Sequence, residues 1–116
     1  MTKSVTFLAG FLAALFWTEC TSATTIIGSG SQTCGTYVTA VRTDATMEYG
    51  MTQWALGFVS GTLFSLGKRG KDPDVTSIRP EAFKASLRSY CSQHPTADFF
   101  EAVDDFVFSL PLVPHN

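Results

Sequence analysis

Large apolar residues recur at steps of three and four through the stretch 47–66. Met47, Met51, Trp54, Phe58 and Leu66 share one helical face, with Ala55, Thr62 and Leu63 between them. This spacing predicts the longest helix of the chain, anchored by Trp54 and Phe58. Gly50, Gly57 and Gly61 interrupt it. Each glycine costs a helix interior about 1 kcal/mol relative to alanine, so three together lead us to expect another helix close against this backbone. A shorter helix is expected from about Thr33, with Cys34, Tyr37, Val38 and Val41 facing inward. Its β-branched Thr36, Val38, Thr39 and Val41 lower helix propensity, which leaves packing to hold it. Asp44 or Thr46 is the expected cap of the long helix, and Glu48 suits its positive end.

Arg79-Pro80-Glu81 opens a third helix, since proline is accepted at the first helical position. Phe83, Leu87, Tyr90 and Cys91 then repeat at helical steps, with Lys84 and Arg88 opposite, and Pro95 ends the run. Thr96 is the expected cap of a fourth helix, whose stripe is Phe99, Val103, Phe106, Val107 and Leu110, with Phe100 beside it. Between the second and third helices, residues 67–74 combine two glycines, a proline and mixed charge. That reads as the most exposed and mobile loop. The expected class is therefore all-α, a small bundle of about four helices.

The ends change the picture. Lys3, the 13-residue apolar run 5–17 and the small residues Thr21-Ser22-Ala23 read as a signal peptide cleaved after residue 23. Thirteen residues are too few for a membrane span, which needs about 20. The division expected is a cleaved signal at 1–23, a flexible leader at 24–32, a helical domain at 33–111 and a tail at 112–116. Cleavage leaves two cysteines, Cys34 and Cys91. In an exported chain of this size they read as a disulfide joining helix one to helix three. The localisation implied is the periplasm, with no lasting membrane anchor.

Charge and chemistry narrow the function. Beyond residue 23, seven Lys and Arg face nine Asp and Glu, a mixture too mild to imply nucleic acid. Ser60 in Gly57-Phe58-Val59-Ser60-Gly61 lacks the glycine two residues before it that a nucleophile elbow requires. Neither His94 nor His115 has a partner at metal-ligand spacing, and Asp72 and Asp74 do not follow a calcium-loop pattern. No catalytic group, metal or cofactor is expected. Asp98, Glu101, Asp104 and Asp105 crowd the last helix at steps that repel, and are candidate pH-responsive residues. Trp54, Phe58, Phe83, Phe99 and Phe106 are the candidate apolar residues for contact with other proteins.

Two families resemble the chain. Thr33-Cys34-Gly35-Thr36-Tyr37, Gly57-Phe58, Asp74-Val75-Thr76, Cys91 and Phe99 follow an order similar to the HdeA/HdeB acid-stress chaperones of the bacterial periplasm, over about 33–110. That resemblance implies a small helical protein with one disulfide, folded as a homodimer near neutral pH. In acid it would loosen and hold denatured client proteins soluble. The run Gly57 to Gly61, Val75-Thr76, Tyr90 with His94-Pro95, and Leu110-Pro111 resemble instead the Rap/Tai immunity proteins of type VI secretion. Those are small exported helical proteins that neutralise a cognate toxin by binding it. Both resemblances imply a non-catalytic partner-binding protein.

Overall fold

The computed structural model of the 116-residue chain describes residues 25–76 and 78–114. The expected signal peptide, 1–23, and His115 lie outside the described residues. Four helices form the domain: α1 (Cys34–Thr43), α2 (Ala45–Lys68), α3 (Pro80–Gln93) and α4 (Phe99–Ser109). The fold is all-α, and Cys34 of α1 is bonded to Cys91 of α3 with their Cα atoms 4.6 Å apart.

Local chemistry sets most helix ends. The Thr33 side chain accepts from the Thr36 N–H at the start of α1, and Asp44 accepts from Met47 at the start of α2. Past the end of α2, Gly70 has φ +70°. Its N–H donates to the Gly67 carbonyl while that of Lys71 donates to Leu66. This pair of backward bonds needs a left-handed residue after the helix, which glycine supplies without steric cost. Pro80 opens α3 as expected.

The cap expected at Thr96 is not used. Asp98 is the N-cap of α4 and makes no side-chain capping bond. Backbone pairing fixes the helix start instead. The Phe99 N–H donates to Gln32, Cys34 to Ala97, and Gly35 to Pro95, with a bridge between Thr33 and Asp98. The same bonds satisfy the first N–H groups of α1, which no helix can satisfy internally.

The core holds Tyr37, Met51, Val59, Phe83, Leu87, Phe99, Val103 and Val107 around the disulfide. Tyr37 lies against Phe99 at 4.7 Å between ring centres, and Phe83 meets Phe106 edge-on at 4.8 Å. Full burial of one such aromatic contributes roughly 1.5–3 kcal/mol.

Three sequence expectations need correction. The leader is not free: Gly28–Ser31 form a single 3₁₀ turn laid over α2, and the Trp54 indole N–H donates to the Ile27 carbonyl at 3.0 Å. The tail and the 67–74 loop are joined, since β1 (Asp72–Pro73) pairs antiparallel with β2 (Leu112–Val113). Finally, no helix approaches the glycines of α2, because a Cβ added at Gly50, Gly57 or Gly61 would meet nothing within 4 Å.

Gly30 is the opposite case, since a Cβ there would land in the Trp54 ring and against Ile26. Gly30→Ala is therefore expected to destabilise the fold by about 1–3 kcal/mol through overpacking. Gly57→Ala should stabilise it by up to about 1 kcal/mol. Thermal unfolding at low micromolar protein checks both signs.

Candidate functional site

From Tyr49 to Gly67 the chain carries no acidic or basic side chain, and half of this stretch of α2 faces outward. Met51, Thr52, Ala55 and Val59 point into the core. Gly50, Gln53, Gly57, Ser60, Gly61 and Phe64 occupy the opposite side and are exposed. Tyr49 and Leu56 flank that line. Tyr49 and Phe64 are about two-thirds exposed, at 66% and 67%, and Leu56 is 39% exposed. A solvated helix face normally carries charge. An uncharged one with large apolar side chains marks a contact surface.

Clefts border this face on both sides. One is a groove of about 600 Å³ between α2 and the start of α3, lined by Tyr49, Gln53, Leu56, Ile78, Phe83 and Lys84 among others. The other is a shallow apolar cleft formed by Ile26, Ile27, Trp54, Gly57 and Phe58. Trp54 and Phe58 stack at 5.3 Å between ring centres. Gln53 lines both clefts, so they and the outer face of α2 form one continuous surface.

The candidate apolar residues thus divide. Trp54 and Phe58 are half-buried at the edge of this surface. Phe83, Phe99 and Phe106 belong to the core, with Phe83 also forming a wall of the groove. Tyr49, Leu56 and Phe64 are not among the candidates the core stripe points to, because they lie off that stripe. Their signal lay in the same periodicity, which puts Phe64 about 180° round the helix from Met51, Ala55 and Val59, and Tyr49 and Leu56 roughly 100–120° round.

Beside the groove, Arg88 of α3 meets Glu48 of α2 at 2.8 Å. The Glu48 side chain is only 15% exposed and that of Arg88 is 44% exposed, so this is a half-sheltered tie between two helices. The Tyr37 hydroxyl is buried nearby beside the side chains of Thr52 and Arg88, neither of which reaches it with full hydrogen-bond geometry. Burial raises its pKa most; the Thr52 hydroxyl and the Arg88 guanidinium work against that rise, and the Glu48 charge adds to it. An orphaned buried hydroxyl costs about 1–3 kcal/mol. Tyr37→Phe should accordingly raise stability by about 1 kcal/mol in urea titration.

The acidic residues of α4 gather away from this surface. Asp98, Glu101 and Asp105 are exposed and Asp104 is half-buried. Among the described residues, none of the four is ion-paired to Lys or Arg. Desolvation, and secondly the charge of Asp105, raise the pKa of Asp104. A carboxyl whose folded pKa lies above its unfolded value favours the fold as pH falls through that window and opposes it above. Acid therefore stabilises the fold at Asp104. The opposite sign belongs to Asp74, whose pKa is lowered by hydrogen bonds from the Thr76 hydroxyl and N–H. Its contribution is present at neutral pH and lost in acid. Asp104→Asn is expected to raise the unfolding temperature at pH 7, with the gain vanishing below about pH 4, where the wild-type carboxyl is neutral too.

No conventional catalytic arrangement emerges from the candidates. The Ser60 hydroxyl donates to the Leu56 carbonyl within its own helix. The His94 ring stacks on Tyr90 and its Nδ1 lies 3.0 Å from the Tyr90 carbonyl. Among the described residues there is no group of three His, Cys, Asp or Glu placed to hold a metal ion, and no helix long and apolar enough to cross a membrane. Comparison with family models, curated proteins and solved structures returned no match to the chain.

Proposed function

We propose that this chain is an exported, non-catalytic protein that binds other polypeptides, acting in the manner of the HdeA-like periplasmic acid-stress chaperones. The observation carrying this reading is the outer face of α2. It is uncharged from Tyr49 to Gly67, exposes Tyr49, Leu56 and Phe64, and is continuous with clefts on either side. Such a surface takes apolar side chains of many shapes, with charge only at its margins, where Glu48 and Lys84 line the groove and the Lys68 ammonium lies over the Phe64 ring.

Acid would enlarge it. At pH 2–3 the carboxylates are neutral while Lys, Arg and His remain charged, and the positive chain repels itself. That repulsion acts across the contact where the Glu48–Arg88 tie joins α2 to α3. With α2 and α3 loosened, Phe83, Phe99 and Phe106 would join Trp54 and Phe58 as client contacts. The Cys34–Cys91 bridge would keep the opened chain compact. The carboxyls of α4 contribute through the change in net charge, and Asp74 loses the hydrogen bonds from Thr76 that favour its ionised form.

A second reading, an immunity protein that neutralises a cognate toxin, is favoured by one observation. The α2 surface is already exposed in the folded protein. The test uses disulfide-intact protein at pH 7 and at pH 2–3, with an unrelated acid-denatured client followed by light scattering and an apolar dye. Suppressed aggregation and increased dye binding in acid are expected. A protein that stays dye-silent and inert in acid would overturn the chaperone reading and leave a specific partner at neutral pH.

A further inference from the structure

We infer that the groove between α2 and α3 binds one free fatty-acid carboxylate, its head at Lys84 and its tail along Leu56, Ile78 and Phe83. The site belongs to the folded chain at neutral pH and stands whether or not denatured polypeptides bind.

Helix packing creates the groove. α2 and α3 each pack on α1 and on α4. The gap left between them is crossed by the Glu48–Arg88 tie at 2.8 Å. α2 supplies one wall, and Ile78, Pro80, Phe83 and Lys84 supply the other. Its volume of about 600 Å³ falls within the usual range of small-molecule sites, roughly 300–1,000 Å³.

Charge assigns the head. Two charged side chains line the groove, Glu48 and Lys84. Glu48 is held by Arg88, whereas half-buried Lys84 has no ion pair among the described residues. Lys84 and Arg88 stand one turn apart on α3, so two cations face one carboxylate. The surplus is positive. It draws an anionic head to Lys84, whose ammonium donates to a carboxylate oxygen. A cationic head meets only Glu48, which Arg88 has already matched.

Distance assigns the tail. Leu56 lies eight residues beyond Glu48 on α2, and Pro80 eight residues before Arg88 on α3. Each step is about 12 Å of helix. A saturated chain advances roughly 1.25 Å per C–C bond, so about ten carbons cover that length. Leu56, Ile78, Pro80 and Phe83 take those methylenes out of water. A hydrophilic anion would leave these side chains wet, and a neutral apolar ligand would leave Lys84 unmatched. A groove walled by two helices holds one tail, which selects a free fatty acid over a two-tailed membrane lipid.

Calorimetric titration of the disulfide-intact protein at pH 7 tests this with decanoate, kept below its micelle-forming concentration. One saturable site is expected, about tenfold tighter than for octanoate because two more methylenes are buried. Lys84→Gln should weaken decanoate binding about fivefold or more and leave decanol binding unchanged. Leu56→Asp alters a residue 39% exposed. It should keep its circular dichroism spectrum and lose both ligands. Decyltrimethylammonium should bind about tenfold more weakly than decanoate. Phosphatidylglycerol vesicles should leave the protein in the supernatant. No saturable decanoate site, or a site indifferent to Lys84→Gln or Leu56→Asp, would overturn the inference. So would equal binding of decyltrimethylammonium, or sedimentation with the vesicles.

Discussion

Reduction of the Cys34–Cys91 bridge is expected to remove about 4 kcal/mol of stability. The bridge spans 57 residues, and the chain-entropy model assigns a loop of that length close to this value. The setting adds to the effect. Both cysteines are fully buried, and Cys34 opens the helix whose first N–H groups are satisfied by Ala97 and Pro95. Freeing Cys34 therefore loosens the pairing that also fixes the start of α4. A small domain has only about 5–15 kcal/mol in total, so the reduced chain should be partly unfolded at 37 °C. Urea titration at pH 7, with and without reductant, reads the difference. A shift below about 1 kcal/mol would mean that packing alone holds α1 to α3.

Phe99→Ala should cost a similar amount, about 3–5 kcal/mol. Phe99 is fully buried, touches Tyr37 and Trp54 at 4.7 and 6.2 Å between ring centres, and donates its N–H to the Gln32 carbonyl. Its loss leaves a cavity beneath Trp54 and unsettles the turn at Gly28–Ser31 that Trp54 supports. Leu56→Ala, on the exposed face of α2, should change monomer stability by less than about 0.5 kcal/mol. Equilibrium unfolding of the two variants at low micromolar concentration gives the comparison. Equal effects would contradict the division of α2 into a core side and an outer side.

Much of the fold was legible because helical periodicity is a local signal. Phe83, Leu87, Cys91, Phe99, Val103 and Val107 fall at helical steps in the sequence and are buried in the structure. Ala40 and Ala102 are also buried, but small side chains barely register in an apolar pattern. What the sequence could not show was non-local. The Thr, Ser and Gly of the leader read as flexible, yet the partner that orders them is an indole 27 residues away. Thr96 has the chemistry of a cap, but pairing between Gln32–Gly35 and Pro95–Phe99 places the helix start after Asp98. The α2 glycines implied a close neighbour, and periodicity alone puts them opposite the core. Among the acids, the sequence showed a repelling cluster on α4. Only the structure showed that Asp104 favours the fold on protonation, that Asp74 holds hydrogen bonds that acid weakens, and that Glu48 ties α2 to Arg88 of α3.

Polypeptide binding through α2 is tested most directly by hydrogen exchange. Disulfide-intact protein at pH 2–3 would be labelled with and without an excess of a denatured client. Slowed exchange across residues 49–64, extending to Phe83 at the groove, is the expected result. Protection confined to α4, or to no segment at all, would contradict the assignment of α2 as the binding surface.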